Sequence, residues 1–159
     1  MDASLHDPGG PGVVARRLGA MLFVASQMAQ EGADIALEPF GLTVRQWALL
    51  RYVRHLEDPA GHNPAIALSQ QAIGETLRVD RTTMVGLVDA LEQRGLVRRE
   101  RNPGDRRAHL LRITPAGAKL EERAEKALDA AAEEFYSPLS GAERRKLGDL
   151  LLRLVERSG

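Results

Sequence analysis

The chain has 159 residues with 22 basic and 22 acidic side chains, so net charge alone points to no polyanionic partner. Its 43% hydrophobic and 28% charged residues suit a globular protein of one domain or two fused lobes, and the absence of cysteine excludes disulfides, zinc–thiolate sites and thiol redox sensing. The longest apolar runs, such as Leu150–Leu152, are too short to span a bilayer, and Met1–Gly10 lacks a basic start followed by an apolar stretch; the expectation is a cytoplasmic protein.

Gly, Pro and Asp dominate residues 1–12, which predicts a disordered tail. From Val13 to about Leu37, apolar residues at Val14, Leu18, Met21, Leu22, Ala25 and Met28 recur at three- and four-residue steps and predict a first helix, broken at Pro39-Phe40-Gly41. Thr43 with Gln46 has the form of a capping box and opens a second helix to about Glu57. Residues 58–65, with two prolines and a glycine, predict a loop. Ser69 caps a short third helix to about Leu77, and Asp80 caps a fourth that ends at Gly95. The period then changes. Leu96–Arg101 and Ala108–Ile113 flank Asn102-Pro103-Gly104-Asp105 and predict a hairpin. Thr114-Pro115 opens a fifth helix, stopped by Pro138, and Ser140 with Glu143 caps a sixth.

A short helix, a tight turn, a second helix and then a hairpin is the connectivity of a winged helix-turn-helix. The expected fold is therefore mainly α with a small β-hairpin. Residues 13–42 form an N-terminal dimerisation helix, 43–115 a winged lobe and 116–159 C-terminal dimerisation helices. The stripes Val14, Leu18 and Leu147, Leu150, Leu151, Leu154 lie at opposite chain ends and need a partner, which points to a homodimer.

Charge is distributed unevenly. Residues 69–115 hold nine basic residues, all arginine, against six carboxylates. Arginine's planar fork of donors suits phosphates and guanine edges. On the fourth helix, Met84, Leu87, Val88 and Leu91 make the buried side and leave Arg81, Thr82, Thr83, Val85 and Gly86 outward, with Val85 suited to a thymine methyl. Ser69 and Gln70 on the third helix join this DNA-facing set, as do Arg99, Arg101, Arg106 and Arg107 on the hairpin. Asp105 is expected to steady the turn by pairing with Arg106, leaving Arg107 for DNA. No nucleophile with its base and no phosphate-cradling glycine loop is present, so no enzyme activity and no cofactor are expected. His6, His55, His62 and His109 are too scattered for a metal site. The alternative is a helical dimeric protein-interaction module whose winged lobe does not bind DNA.

The chain resembles the MarR family of bacterial regulators. The resemblance is carried by Leu96-Val97-Arg98-Arg99 through Asp105-Arg106-Arg107 to Leu111-Arg112-Ile113-Thr114-Pro115-Ala116-Gly117. It continues in Gly41-Leu42-Thr43 with Gln46-Trp47, in Val79-Asp80-Arg81, and in Leu87–Glu92 with Arg94-Gly95-Leu96-Val97. It implies a dimer in which the first, fifth and sixth helices interlock and two lobes grip a pseudo-palindromic operator. It also implies repression relieved by a small aromatic or phenolic ligand bound between the dimerisation helices and the lobe. Met21, Phe40, Trp47 and Tyr52 would then supply the apolar wall, and Arg17 or His55 the polar anchor. Family members often carry a polar residue and an arginine where this chain has Val85 and Gly86, and a basic residue where it has Ala90. Fewer side chains are left for hydrogen-bonded readout, and Arg81 and the wing carry more of the affinity.

Overall fold

The computed structural model describes residues 11–57, 69–102 and 109–156, so residues 1–10, the predicted loop 58–65, and Asp105, Arg106 and Arg107 lie outside the described residues. The elements in chain order are α1 (Pro11–Leu37), a single 3-10 turn (Glu38–Phe40), α2 (Val44–Glu57), α3 (Gln70–Thr76), α4 (Arg81–Gln93), β1 (Val97–Arg101), β2 (His109–Ile113), α5 (Pro115–Phe135) and α6 (Gly141–Glu156). No helix among the described residues is long and apolar enough to cross a membrane. The chain divides into two compact units, residues 34–130 and residues 11–33 with 131–156.

Local chemistry sets most of the boundaries. α1 starts at Pro11, two residues before the apolar pattern begins, because proline's fixed φ suits a first helical turn and its missing N–H is unneeded there. Gly41 takes φ +60° after the 3-10 turn and donates its N–H to Glu38 O at 2.9 Å. The Thr43 capping box closes both ways: Thr43 N–H donates to Gln46 Oε1 at 3.0 Å, and Gln46 N–H donates to Thr43 Oγ1 at 3.2 Å. The Asp80 carboxylate accepts from Thr83 N–H at 3.0 Å and starts α4. Gly95, at φ +68°, turns the chain out of α4 into the hairpin. β1 and β2 pair antiparallel, with Val97 opposite Ile113, Arg99 opposite Leu111 and Arg101 opposite His109.

Residues 34–130 hold the core. Leu49, Leu50 and Val53 of α2, Ile73 of α3, Val88 and Leu91 of α4, and Leu111 of β2 are fully buried in one cluster. One junction fixes the base of the hairpin. Thr114 Oγ1 donates to Gly95 O at 2.7 Å and accepts from Gly117 N–H at 3.0 Å, which caps α5 and ties it to the exit of α4.

The other unit is built differently. Ser140 N–H donates to Glu143 Oε2 at 2.8 Å, completing the predicted box at the start of α6. The Ser140 hydroxyl also donates to Glu143 Oε2, at 2.7 Å, and with the N–H holds the Glu143 carboxyl below the usual carboxylate range. Arg144 Nε donates to the carbonyls of Tyr136 and Leu139, both at 3.1 Å, and so fixes the turn between α5 and α6. Yet no described residue of α1 before Leu37, and none of α6, is buried.

Candidate nucleic-acid interface

α3, a four-residue turn (Leu77–Asp80) and α4 place one helix end outward. Met84, Val88 and Leu91 are buried in the core, and Leu87 is half-buried against it. That anchoring leaves Arg81, Thr82, Val85 and Gly86 exposed on the opposite side of α4, with Thr83 half-buried. A Cβ built on Gly86 meets no atom within 4 Å, so the centre of this face is low and open. Hydrogen bonds from Thr83 hold the Asp80 carboxyl below its ordinary range, so it stays an anionic cap at neutral pH. The turn itself carries strain. Arg78 has φ +53°, a left-handed conformation that costs an L-residue roughly 1–2 kcal/mol. Gly74 packs closely beneath it: a Cβ there would lie 3.3 Å from Val79 O, a tight approach to backbone, and 3.5 Å from Met84 Cγ.

The other residues of the expected DNA-facing set divide by what they touch. Ser69 Oγ accepts from Ala72 N–H at 3.2 Å and serves as the cap of α3. Gln70 Oε1 accepts from Arg99 Nε at 3.2 Å. Arg99 is further engaged by Asp89, at 2.6 Å, and by Glu92, both on α4. Its guanidinium is thus a strut between the hairpin and α4, with an orientation set by the protein. Arg101, at the distal end of β1, is exposed. Arg98 and Arg112 converge on Glu100, at 2.8 and 3.1 Å, and the hydrogen bond from Arg112, with that from Arg98, holds the Glu100 carboxyl below its usual range.

Two arrangements escaped the sequence reading. Arg94 donates to Gly41 O at 2.6 Å and to Phe40 O at 2.8 Å, clamping the bend after α1 to the end of α4. Glu121 of α5 is only 1% exposed and pairs with Arg54 and, at 3.5 Å, with Arg51 of α2. The hydrogen bond with Glu121 raises the Arg54 pKa above its ordinary value. The spacing of Arg51 and Arg54 on one helix and of Glu121 and Glu125 on another was a legible signal, because each pair shares a helix face.

These same residues line a cavity of about 490 Å³, walled by Arg51, Arg54, His55, Glu57, Glu121 and Glu125. Of the expected ligand-binding set, only His55 lines it. Phe40, Trp47 and Tyr52 are half-buried against the core, while Arg17 and Met21 belong to the other unit, with Met21 60% exposed. The Arg51 guanidinium lies 5.7 Å from the Trp47 ring centre, and the Trp47 Nε1–H is buried with no acceptor among the described residues. Among the described residues, no group of three or more histidine and carboxylate side chains is placed to hold a metal.

The chain matches the family described as MarR_2, MarR family, over residues 40–108. It is similar to the putative transcriptional regulatory protein for the hcr operon of Thauera aromatica, with 41% identity over 93 residues, 58% of this chain and 55% of that one. The matched stretch thus spans about half the length of that relative. It is also similar to the transcriptional regulator HosA of Escherichia coli O111:H-, with 32% identity over 73% of this chain and 76% of HosA. Among solved structures, CouR from Rhodococcus jostii RHA1 bound to p-coumaroyl-CoA aligns with a TM-score of 0.69 and 31% identity, over 86% of this chain and 90% of CouR. The Staphylococcus aureus MepR–DNA complex aligns with a TM-score of 0.73 and 25% identity, over 87% and 96%.

Proposed function

Because this chain belongs to the MarR family of winged helix-turn-helix transcriptional regulators, which are not enzymes, we propose that it binds a pseudo-palindromic operator in double-stranded DNA as a homodimer and represses transcription until a small aromatic ligand releases it. The carrying observation is α4: a helix fixed on one side by Met84, Val88 and Leu91 and open on the other at Arg81, Thr82, Val85 and Gly86. Such a helix enters the major groove by its N-terminal end, where Arg81 reaches a base edge, Thr82 a phosphate or base, and Val85 a thymine methyl. Arg101 and Arg107 act from the wing on the backbone or minor groove. Ser69, Gln70 and Arg99 contribute by holding α3, α4 and the hairpin in register, and Asp105 with Arg106 by steadying the hairpin tip. MepR, solved as a complex with DNA, supports this reading.

The test is binding of the full chain to the DNA upstream of its own coding sequence, across a salt series. Arg81→Ala should cost about 1–3 kcal/mol on the preferred site and relax discrimination there. Arg107→Ala should weaken all sequences alike and lower the salt slope by about one per protomer contact. No preference for any duplex would instead favour a winged lobe that binds protein.

The ligand half of the proposal is supported by CouR, solved with p-coumaroyl-CoA, and by the polar cavity whose Arg51 lies over the Trp47 ring. Trp47 is the only tryptophan, so its fluorescence reports this region alone. An aromatic carboxylate that engages Arg51 or His55 should quench Trp47 and weaken DNA binding at the same concentrations. If a panel of benzoates, hydroxybenzoates and cinnamates changes neither signal, ligand control by this class is wrong while DNA binding stands.

A further inference from the structure

Among the described residues, Arg78 is the only non-glycine with a positive φ, and it sits in the turn that delivers α4. The turn has a defined hydrogen-bond pattern: Val79 N–H donates to Gly74 O at 2.9 Å, and Arg78 N–H donates to Glu75 O at 3.2 Å. This is the six-to-one, five-to-two closure of a helix C-terminus whose left-handed position ordinarily favours glycine. Val79, the next residue, packs against the core and fixes the turn. The backbone therefore demands φ > 0, and the sequence fills that position with a long cation instead of the residue that would relieve the strain.

Among the described residues the Arg78 side chain has no structural partner. It is exposed, and no ion pair joins it to a described carboxylate. Its place is two residues before the Asp80 cap and three before the exposed Arg81. A helix that enters a groove by its N-terminus has phosphate strands on either side, so the turn leading into it faces the sugar–phosphate backbone. Strained backbone positions are retained where a function holds them. We propose that Arg78 is a DNA phosphate contact, kept at a destabilising turn position because its charge grips the backbone beside the groove that α4 occupies. This rests on the DNA-binding reading above.

The experiment uses the full chain and a duplex it enriches from a randomised pool, with Arg78→Gly and Arg78→Gln as variants. Arg78→Gly removes both strain and charge, so its melting temperature should rise while its affinity falls. Arg78→Gln keeps the strained backbone and removes only the charge. Both variants should lose affinity on the order of tenfold at moderate salt, equally on enriched and unrelated duplexes, and lower the salt slope by about one per protomer. Arg78→Lys should retain most of the slope. Unchanged affinity and slope in Arg78→Gln, with wild type binding normally, would overturn the proposal and leave the DNA-binding reading intact. Failure of the wild type to enrich any duplex would overturn both.

Discussion

Gly117→Ala is expected to lower the melting temperature by on the order of 10 °C, while Gly86→Ala raises it slightly. The two glycines lie on helices and differ only in surroundings. A Cβ on Gly117 would stand 2.0 Å from Leu96 O and 2.9 Å from Leu96 C. Both obstacles are backbone, so no side-chain rotation relieves the overlap. The Leu96 carbonyl is itself committed, accepting from Thr114 N–H at 3.1 Å, and Leu96 is buried. Either the first turn of α5 lifts off the hairpin base or the exit from α4 moves. Overpacking in a well-packed region costs about 1–3 kcal/mol, and a clash with fixed backbone belongs at or above the top of that range. At Gly86 a methyl meets nothing within 4 Å, and alanine's helix propensity contributes about 0.5–1 kcal/mol. Thermal unfolding of the two variants beside wild type measures both signs, and equal melting temperatures would mean that α5 does not meet the hairpin as described.

The reason Gly117 carries so much was only half visible in the sequence. Thr114-Pro115 announces a helix start, and Thr114 indeed caps it, because capping is a matter of three or four adjacent residues. The same locality made the Thr43, Asp80 and Ser140 caps legible, along with the hairpin and the apolar side of α4. What a cap cannot reveal is the carbonyl of a distant residue pressed against the helix it opens. Arg99 shows the limit from another side. Read along the chain it is one of several hairpin arginines, and only the folded position of Asp89 and Glu92 gives it a partner. Arg94 likewise looks like a surface cation near a helix end until the bend at Phe40 and Gly41 is brought to it. Charge composition singles out the arginine-rich stretch; distances across elements show which of its described cations are engaged within the protein.

Leu18→Asp is expected to convert the protein from a dimer to a monomer at micromolar concentration and to weaken operator binding by about 10²- to 10⁴-fold, the range by which linking two modules exceeds single-site affinity. The described residues of α1 before Leu37 bury no side chain, and Leu18, Met21, Phe23 and Met28 are each more than half exposed. α6 behaves alike, with Leu152, Leu154 and Val155 exposed. Long helices in water take most of their stability from a packed apolar face, and soluble monomers rarely leave apolar surface of this extent uncovered. A second copy of the chain is the proposed cover, since a symmetric pair also matches two half-sites of a pseudo-palindrome. Phe23 lies well round α1 from the Leu18 stripe, so a single flat helix contact does not cover both. Because Leu18 is 55% exposed in the single chain, aspartate there costs the isolated fold little, and its effect reports the partner. Leu150→Asp, at 43% exposed on α6, should act in the same direction. Sedimentation and DNA titration of the same samples link the two losses. A wild type that sediments as a monomer, or a Leu18→Asp variant that stays dimeric, would remove the pairing from the mechanism.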